Sequence, residues 1–187
     1  RVDSYPVQEK YHFVWVFLGD LPDAERPPIP DWDEHFNNGK LAYVHGEFLW
    51  KANYERVLEN GVDIAHTPWV HGGAFGNREQ PEVDEYEPVV TDWSAEATVR
   101  LNPPKRNVKG IKRVLYRAEP KDIVTSTARF MPTLIKLHVR LPFGDMVMSD
   151  TNIPSNETPT LQQPVDFCSF LTGNWPHRQA LHRSMEI

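Results

Sequence analysis

Two histidines, a carboxylate and an amide fall at regular spacing in one stretch, residues 53–77, NYERVLENGVDIAHTPWVHGGAFGN. Asn60, Asp63, His66 and His71 form the pattern N-x-x-D-x-x-H-x-x-x-x-H. Neutral imidazoles ligate iron and zinc well. Two of them with one carboxylate make the facial triad of non-haem Fe(II) sites, which leaves coordination positions open for O2 and a substrate. Asp63, one helical turn before His66, is placed to bond the non-ligating ring nitrogen of that histidine and fix its tautomer. A hydrolytic zinc site also uses two histidines and a carboxylate. The H-E-x-x-H spacing that puts a general base between the ligands is absent here.

The chemistry needs an element to hold it. Tyr54, Val57, Leu58 and Val62 recur at helical intervals, so the segment is expected to be an amphipathic helix with Asn60, Asp63 and His66 along one side. Pro68 removes a helical donor and disfavours the α region at Thr67, so the helix should end or kink there and let His71 swing back toward His66. A second pair with the same separation, His177 and His182 in PHRQALH, has Asn174 in place of the carboxylate and reads as the face of a surface helix. Gly72, Gly73 and Gly76 follow the motif, as a mouth over the site or simply a sharp change of direction.

At 187 residues the chain suits one principal domain with a real core. A hydrophobic share of 40% and a charged share of 25% describe an ordinary globular protein. No apolar run approaches the roughly 20 residues of a membrane span, and RVDSYPVQEK lacks a signal-peptide layout. A net charge of −6 argues against a nucleic-acid partner. The local basic cluster Lys105, Arg106, Lys109, Lys112 and Arg113 reads as a solvated hairpin loop, or as a docking patch for an acidic electron-transfer protein. The single cysteine, Cys168, excludes an intrachain disulfide and suits a reducing, cytoplasmic compartment.

Along the chain, residues 1–20 carry a strand signal from Tyr11 to Leu18 that ends at Gly19-Asp20, with His12 as a structural residue. Residues 21–40, with Pro22, Pro27, Pro28 and Pro30, read as an extended linker. LAYVHGEFLWK is expected to be a strand leading into the motif helix. Strands follow around EYEPVV, SAEATVRL, GIKRVLYRAE, DIVTSTARFM, LIKLHVRLPF, DMVMSDTNIP and PTLQQPVDFCSFL. NWPHRQALHRSMEI then turns helical, with Leu181 and Met185 on its apolar face. Many short antiparallel-looking strands around a few helices make an α+β fold, a twisted antiparallel sheet curving round helices.

The stretch ENGVDIAHTPWVHG with its glycine-rich turn resembles the mononuclear iron motif of Rieske-type non-haem iron oxygenases, the α-subunits of aromatic-ring-hydroxylating enzymes. The resemblance implies a helix-grip (START-like) catalytic domain over residues 41–187. It implies Fe(II) held by His66 and His71, Asn60 near the iron, and Asp63 linking the iron to the Rieske [2Fe–2S] cluster of a neighbouring subunit. Such a cluster needs two cysteines and two histidines, so it is expected upstream, with residues 1–20 as the last strands of its domain. A third iron ligand is implied just past HRSMEI. Glu186, Asp145 and Asp150 are weaker candidates for that place. The family further implies O2, NAD(P)H through a ferredoxin or flavin reductase, a hydrophobic substrate that is hydroxylated or demethylated, and a homo-oligomer, commonly a trimer. Trp69, Phe75, Phe130, Met131, Met146, Met148 and Phe167 could line the pocket or simply fill the core. A helix-grip module that binds a hydrophobic ligand without catalysis is the competing reading.

Overall fold

The computed structural model describes residues 4–37, 41–72, 76–103, 123–141, 144–155 and 159–169. It has two compact units, Arg1–Gly39 and Lys40–Ile187. The expected strand over GIKRVLYRAE, the basic loop and the C-terminal helix with His177, His182 and Glu186 lie outside the described residues.

In the first unit the run Tyr11–Leu18 is not one strand. Strands β1 (Val7–Lys10) and β2 (Phe13–Val16) pair antiparallel around a two-residue turn at Tyr11-His12, where both φ angles are positive, 60° and 62°. A hairpin turn of this kind matches strand twist and normally takes Asn-Gly, because other side chains resist the left-handed region. Here Tyr11 is held there by tertiary contacts. Its ring stacks on Phe36 at 4.6 Å and lies 5.4 Å from Trp32. Its hydroxyl donates to Asp33 Oδ1 at 2.9 Å and accepts from the Trp32 backbone N–H at 2.8 Å. The proline-rich stretch holds a 3-10 turn, Asp23–Glu25, and a short helix α1 (Asp33–Phe36). Trp32 is fully buried, so this stretch is packed against the hairpin.

In the second unit the described strands form one antiparallel sheet in the order β3-β10-β9-β8-β7-β6-β5. Their ranges are β3 (Ala42–His45), β4 (Phe48–Trp50), β5 (Val89–Val90), β6 (Ser94–Leu101), β7 (Ile123–Phe130), β8 (Leu134–Leu141), β9 (Gly144–Pro154) and β10 (Thr160–Cys168). LAYVHGEFLWK is split in two, and both halves pair with β10. The break falls where Gly46 donates to the Pro164 carbonyl, because Pro164 has no N–H to return. EYEPVV shrinks to Val89–Val90. The sheet with few helices is the α+β class expected.

Helix α2 (Tyr54–Val62) lies against β7, β8 and β9. Asn53 caps its start by accepting from Glu55 N–H at 2.8 Å. Just before it, the Ala52 carbonyl accepts from Thr160 Oγ1 of β10, and at its far end the Gly61 carbonyl accepts from Thr127 Oγ1 of β7 at 3.0 Å. Val57 and Leu58 are buried, and Ile64 joins Val99, Leu101, Ile123 and Val139 in the core. Burying each of these aliphatic side chains contributes about 1.5–3 kcal/mol.

Gly61 sets how closely α2 approaches, since a Cβ there would overlap Ile135 Cδ1. Gly61→Ala is therefore expected to destabilise the protein by about 1–3 kcal/mol through overpacking, less up to about 1 kcal/mol of gained helix propensity. Adding Ile135→Val, which removes that methyl, should recover part of the loss. Urea unfolding of the two single variants and the double variant measures this; strict additivity would refute the contact.

Candidate metal centre

The motif helix ends earlier than Pro68. α2 stops at Val62, and Asp63 is its C-cap in an extended conformation. Asp63 Oδ1 accepts from Ala65 N–H at 3.0 Å, a side-chain turn that competes with further helix. Ile64 then plugs into the core. Pro68 does not break the first helix; it sits in the first turn of a second, α3 (Thr67–Val70), where its missing N–H costs nothing. The ladder of Asn60, Asp63 and His66 on one continuous helix is thus replaced by a helix–turn–helix corner.

That corner is what brings the histidines together. His66 is the N-cap of α3 and His71 its C-cap. The His66 carbonyl accepts from Val70 N–H at 2.9 Å, and His71 N–H donates to the Thr67 carbonyl at 2.9 Å. Across this single turn the two imidazole centroids are 5.3 Å apart, inclined at 66°. His66 Nδ1 is buried without a hydrogen-bond partner and faces Asp63 Oδ2 at 3.9 Å, within ion-pair reach but beyond hydrogen-bond length. Desolvation and the neighbouring His66 push the His71 pKa below its ordinary value, which favours the neutral, ligating form. Asn60 is exposed on α2.

The chain after His71 returns over α3. Arg78 Nε donates to the Trp69 carbonyl at 2.8 Å, and a Cβ on Gly76 would come within 2.6 Å of Pro68 Cα. The glycines for which this can be seen therefore serve a close backbone approach. Trp69, between the two histidines, is exposed. Among the described residues no group of three or more His, Cys, Asp or Glu side chains is set to hold a metal ion. Asp145 lies 3.7 Å from His138 Nε2, and Asp150 is on β9, so neither joins the histidine pair. Of the named apolar residues, Met146 and Met148 are on the α2 side of the sheet, whereas the register puts Phe130 and Phe167 on the other.

Residues 50–165 match the family of vanillate O-demethylase oxygenase C-terminal domains. The chain belongs to this family, the C-terminal domains of Rieske-type oxygenases. It is 34% identical over 84 residues to a vanillate O-demethylase oxygenase subunit of a Pseudomonas species, a match covering 45% of this chain and 23% of that protein. It is 33% identical over 78 residues to the toluene-4-sulfonate monooxygenase system iron-sulfur subunit TsaM1 of Comamonas testosteroni, covering 40% and 21%. Among solved structures, Pseudomonas putida CBB5 NdmA with caffeine superposes with a TM-score of 0.72 at 19% identity, over 96% of this chain and 49% of that one. Dicamba monooxygenase bound to dicamba gives 0.70 at 16%, over 96% and 54%. The likeness to these structures is one of fold. The chain spans about half the length of the solved relatives, and its matched part is under a quarter of the sequence relatives' length.

Sequence reading gave little weight to a second polar cluster. Asp166 on β10 is 1% exposed, and neither carboxylate oxygen has a hydrogen-bond partner. Burial, with the charge of Asp150 adding to it, pushes its pKa up to about 8; burial pushes Asp150 up to about 7. Burial and then Asp166 push the Cys168 thiol up to about 12, so it is no nucleophile. The available signal was one aspartate inside the apolar run PVDFC.

These carboxyls hold protons more tightly folded than unfolded, where their pKa is about 3.9. Their contribution to stability is full below about pH 4 and is lost as pH rises through about 7 to 8. The urea midpoint should therefore fall between pH 5 and pH 8, and Asp166→Asn should flatten that fall. A midpoint equally pH-dependent in the variant would mean that Asp166 does not titrate in this range.

Proposed function

We propose that this chain provides the mononuclear-iron catalytic domain of a Rieske-type non-haem iron oxygenase that hydroxylates or demethylates a hydrophobic substrate. The observation that carries the reading is the imidazole pair, 5.3 Å apart at one end of a family-matched segment, with the orphaned His66 Nδ1 turned toward Asp63. This donor set fits Fe(II): two imidazoles, one biased to its neutral form, and a carboxylate behind the first. His66 and His71 hold the metal, and a third carboxylate ligand is expected from elsewhere. The metal when bound supplies O2 activation.

The protein's own contribution is positional. Asp63 Oδ2 faces His66 Nδ1 at 3.9 Å, and closing that gap to a hydrogen bond would fix the proton on Nδ1 and leave Nε2 as the basic nitrogen. Thr127 and Ile64 hold the corner that carries both rings. On this reading residues 41–187 form a helix-grip domain and residues 1–20 close a cluster-binding domain. The partner set is O2, a hydrophobic substrate, a ferredoxin or flavin reductase fed by NAD(P)H, a Rieske [2Fe–2S] cluster and further copies of the chain, a trimer by family resemblance. The relatives' names span vanillate, toluene-4-sulfonate and methylxanthines, so the substrate of this chain is a question for its own pocket.

Iron and acid-labile sulfide assayed together in the intact protein test the reading. Iron is expected beyond that matched by sulfide, and His66→Ala or His71→Ala should abolish the excess. Asp63→Asn should keep nearly all the iron while turnover falls by about 10–100-fold. Retained turnover in that variant would remove Asp63 from the mechanism. No excess iron, with a hydrophobic ligand bound, would make the domain a binding module.

A further inference from the structure

Strands β9 and β10 carry an unusual set of acceptors on the sheet face that α2 covers. The register pairs Asp150 with Pro164 and Asp166 with Met148, so the two aspartates are diagonal neighbours on one face. The same face carries Ile135, opposite Asp150, and Ile135 is the side chain under Gly61 of α2. Met146, the other diagonal neighbour of Asp166, packs against the cluster containing Ile64, two residues before His66. The acid pair thus shares a face of the sheet with the helix that leads into the histidine corner.

Among the described residues these acceptors are mostly left without partners. Asp166 is 1% exposed with both oxygens unpartnered, and the Asn152 side-chain carbonyl, on the same face and fully buried, is also unpartnered. Asp150 receives one long hydrogen bond, from Gln162 Nε2 at 3.3 Å, and Gln162 is in turn held by Trp50 Nε1 at 2.7 Å. No described lysine or arginine pairs with either aspartate. Folded proteins pair buried carboxyls, and an orphaned one needs a reason. A metal ion is a poor match, because among the described residues no group of three or more His, Cys, Asp or Glu side chains is set to hold one. A cationic, donor-rich group would draw both carboxyls into their charged, accepting form and satisfy them.

We propose that Asp150, Asp166 and the Asn152 carbonyl form the polar end of the ligand site on this face and select a ligand bearing a positively charged, donor-rich nitrogen group, an amine or amidine, over carboxylates and sulfonates. This deepens the oxygenase reading, since it rests on the α2 face being the substrate side. The charged nitrogen donates to the aspartates while the apolar remainder lies along Met146 and Met148 toward the histidines. A cation stabilises the charged form of both aspartates, whereas a carboxylate or sulfonate opposes it, so the discrimination is built from repulsion as well as attraction.

Benzamidine and benzoate, equal in size and opposite in charge, serve as probes for calorimetric titration of the intact protein. Wild type is expected to bind benzamidine at least about tenfold more tightly than benzoate. Asp166→Asn and Asp150→Asn should each weaken benzamidine by about tenfold or more, the scale of one charge-assisted hydrogen bond. Both variants keep side-chain shape, and thermal melting checks that they fold. Benzoate bound as well as benzamidine, or benzamidine unaffected by both variants, overturns the proposal. Iron in excess of acid-labile sulfide, measured in the same samples, separates the two readings. Excess iron present with benzamidine indifferent to Asp166 rejects this selectivity and leaves the metal centre standing. Excess iron absent with benzamidine dependent on Asp166 does the opposite.

Discussion

The seating of α2 on the sheet is the constraint on which the candidate centre depends. Its lead-in is tied to β10 through Thr160 and its end to β7 through Thr127, so the helix crosses the strands between two fixed points. Gly61 allows the backbone down onto Ile135, and Ile64 then locks the chain into the core immediately after the helix. Asp63 lies between these anchors and has no choice but to turn. The turn hands the chain to α3, whose two caps are the histidines. Their spacing is therefore set by apolar packing several residues away.

One physical effect, the loss of hydration, explains two opposite protonation tendencies. Removing a group from water disfavours its charged form, which lowers the pKa of an imidazole and raises that of a carboxyl. His71 is held toward the neutral state that a metal requires, and Asp166 toward the protonated state. Like charges reinforce both effects, His66 on His71 and Asp150 on Asp166. A metal at the first pair and a cationic group at the second would each replace a repulsion by an attraction. At the buried aspartates such a partner matters more than it would in water.

The hairpin of the first unit shows the same trade between local preference and tertiary contact. Two consecutive non-glycine residues in the left-handed region cost about 1–2 kcal/mol each. The Tyr11 ring and hydroxyl offset that with contacts to Trp32, Asp33 and Phe36, residues more than 20 positions on. Two strands alone are marginal in water, and it is this aromatic packing that gives the hairpin a face to rest on.

Much of the second unit was legible in the sequence because strands announce themselves by residue type. SAEATVRL, DIVTSTARFM, LIKLHVRLPF and DMVMSDTNIP each became a strand close to where β-branched and apolar residues cluster. The motif residues were legible from their types and spacing, and the family from the resemblance of ENGVDIAHTPWVHG to a known motif. What sequence could not decide was geometry that depends on partners far along the chain. The break at Gly46 answers Pro164, the end of α2 answers Ile135 and Thr127, and the turn at Tyr11-His12 answers Trp32 and Phe36. The acid pair was hidden for the same reason, since an aspartate in an apolar strand reads as a surface residue until the register places another beside it. Periodicity is a local property and survives in the sequence; strand register and helix seating are long-range, and only the folded chain selects them.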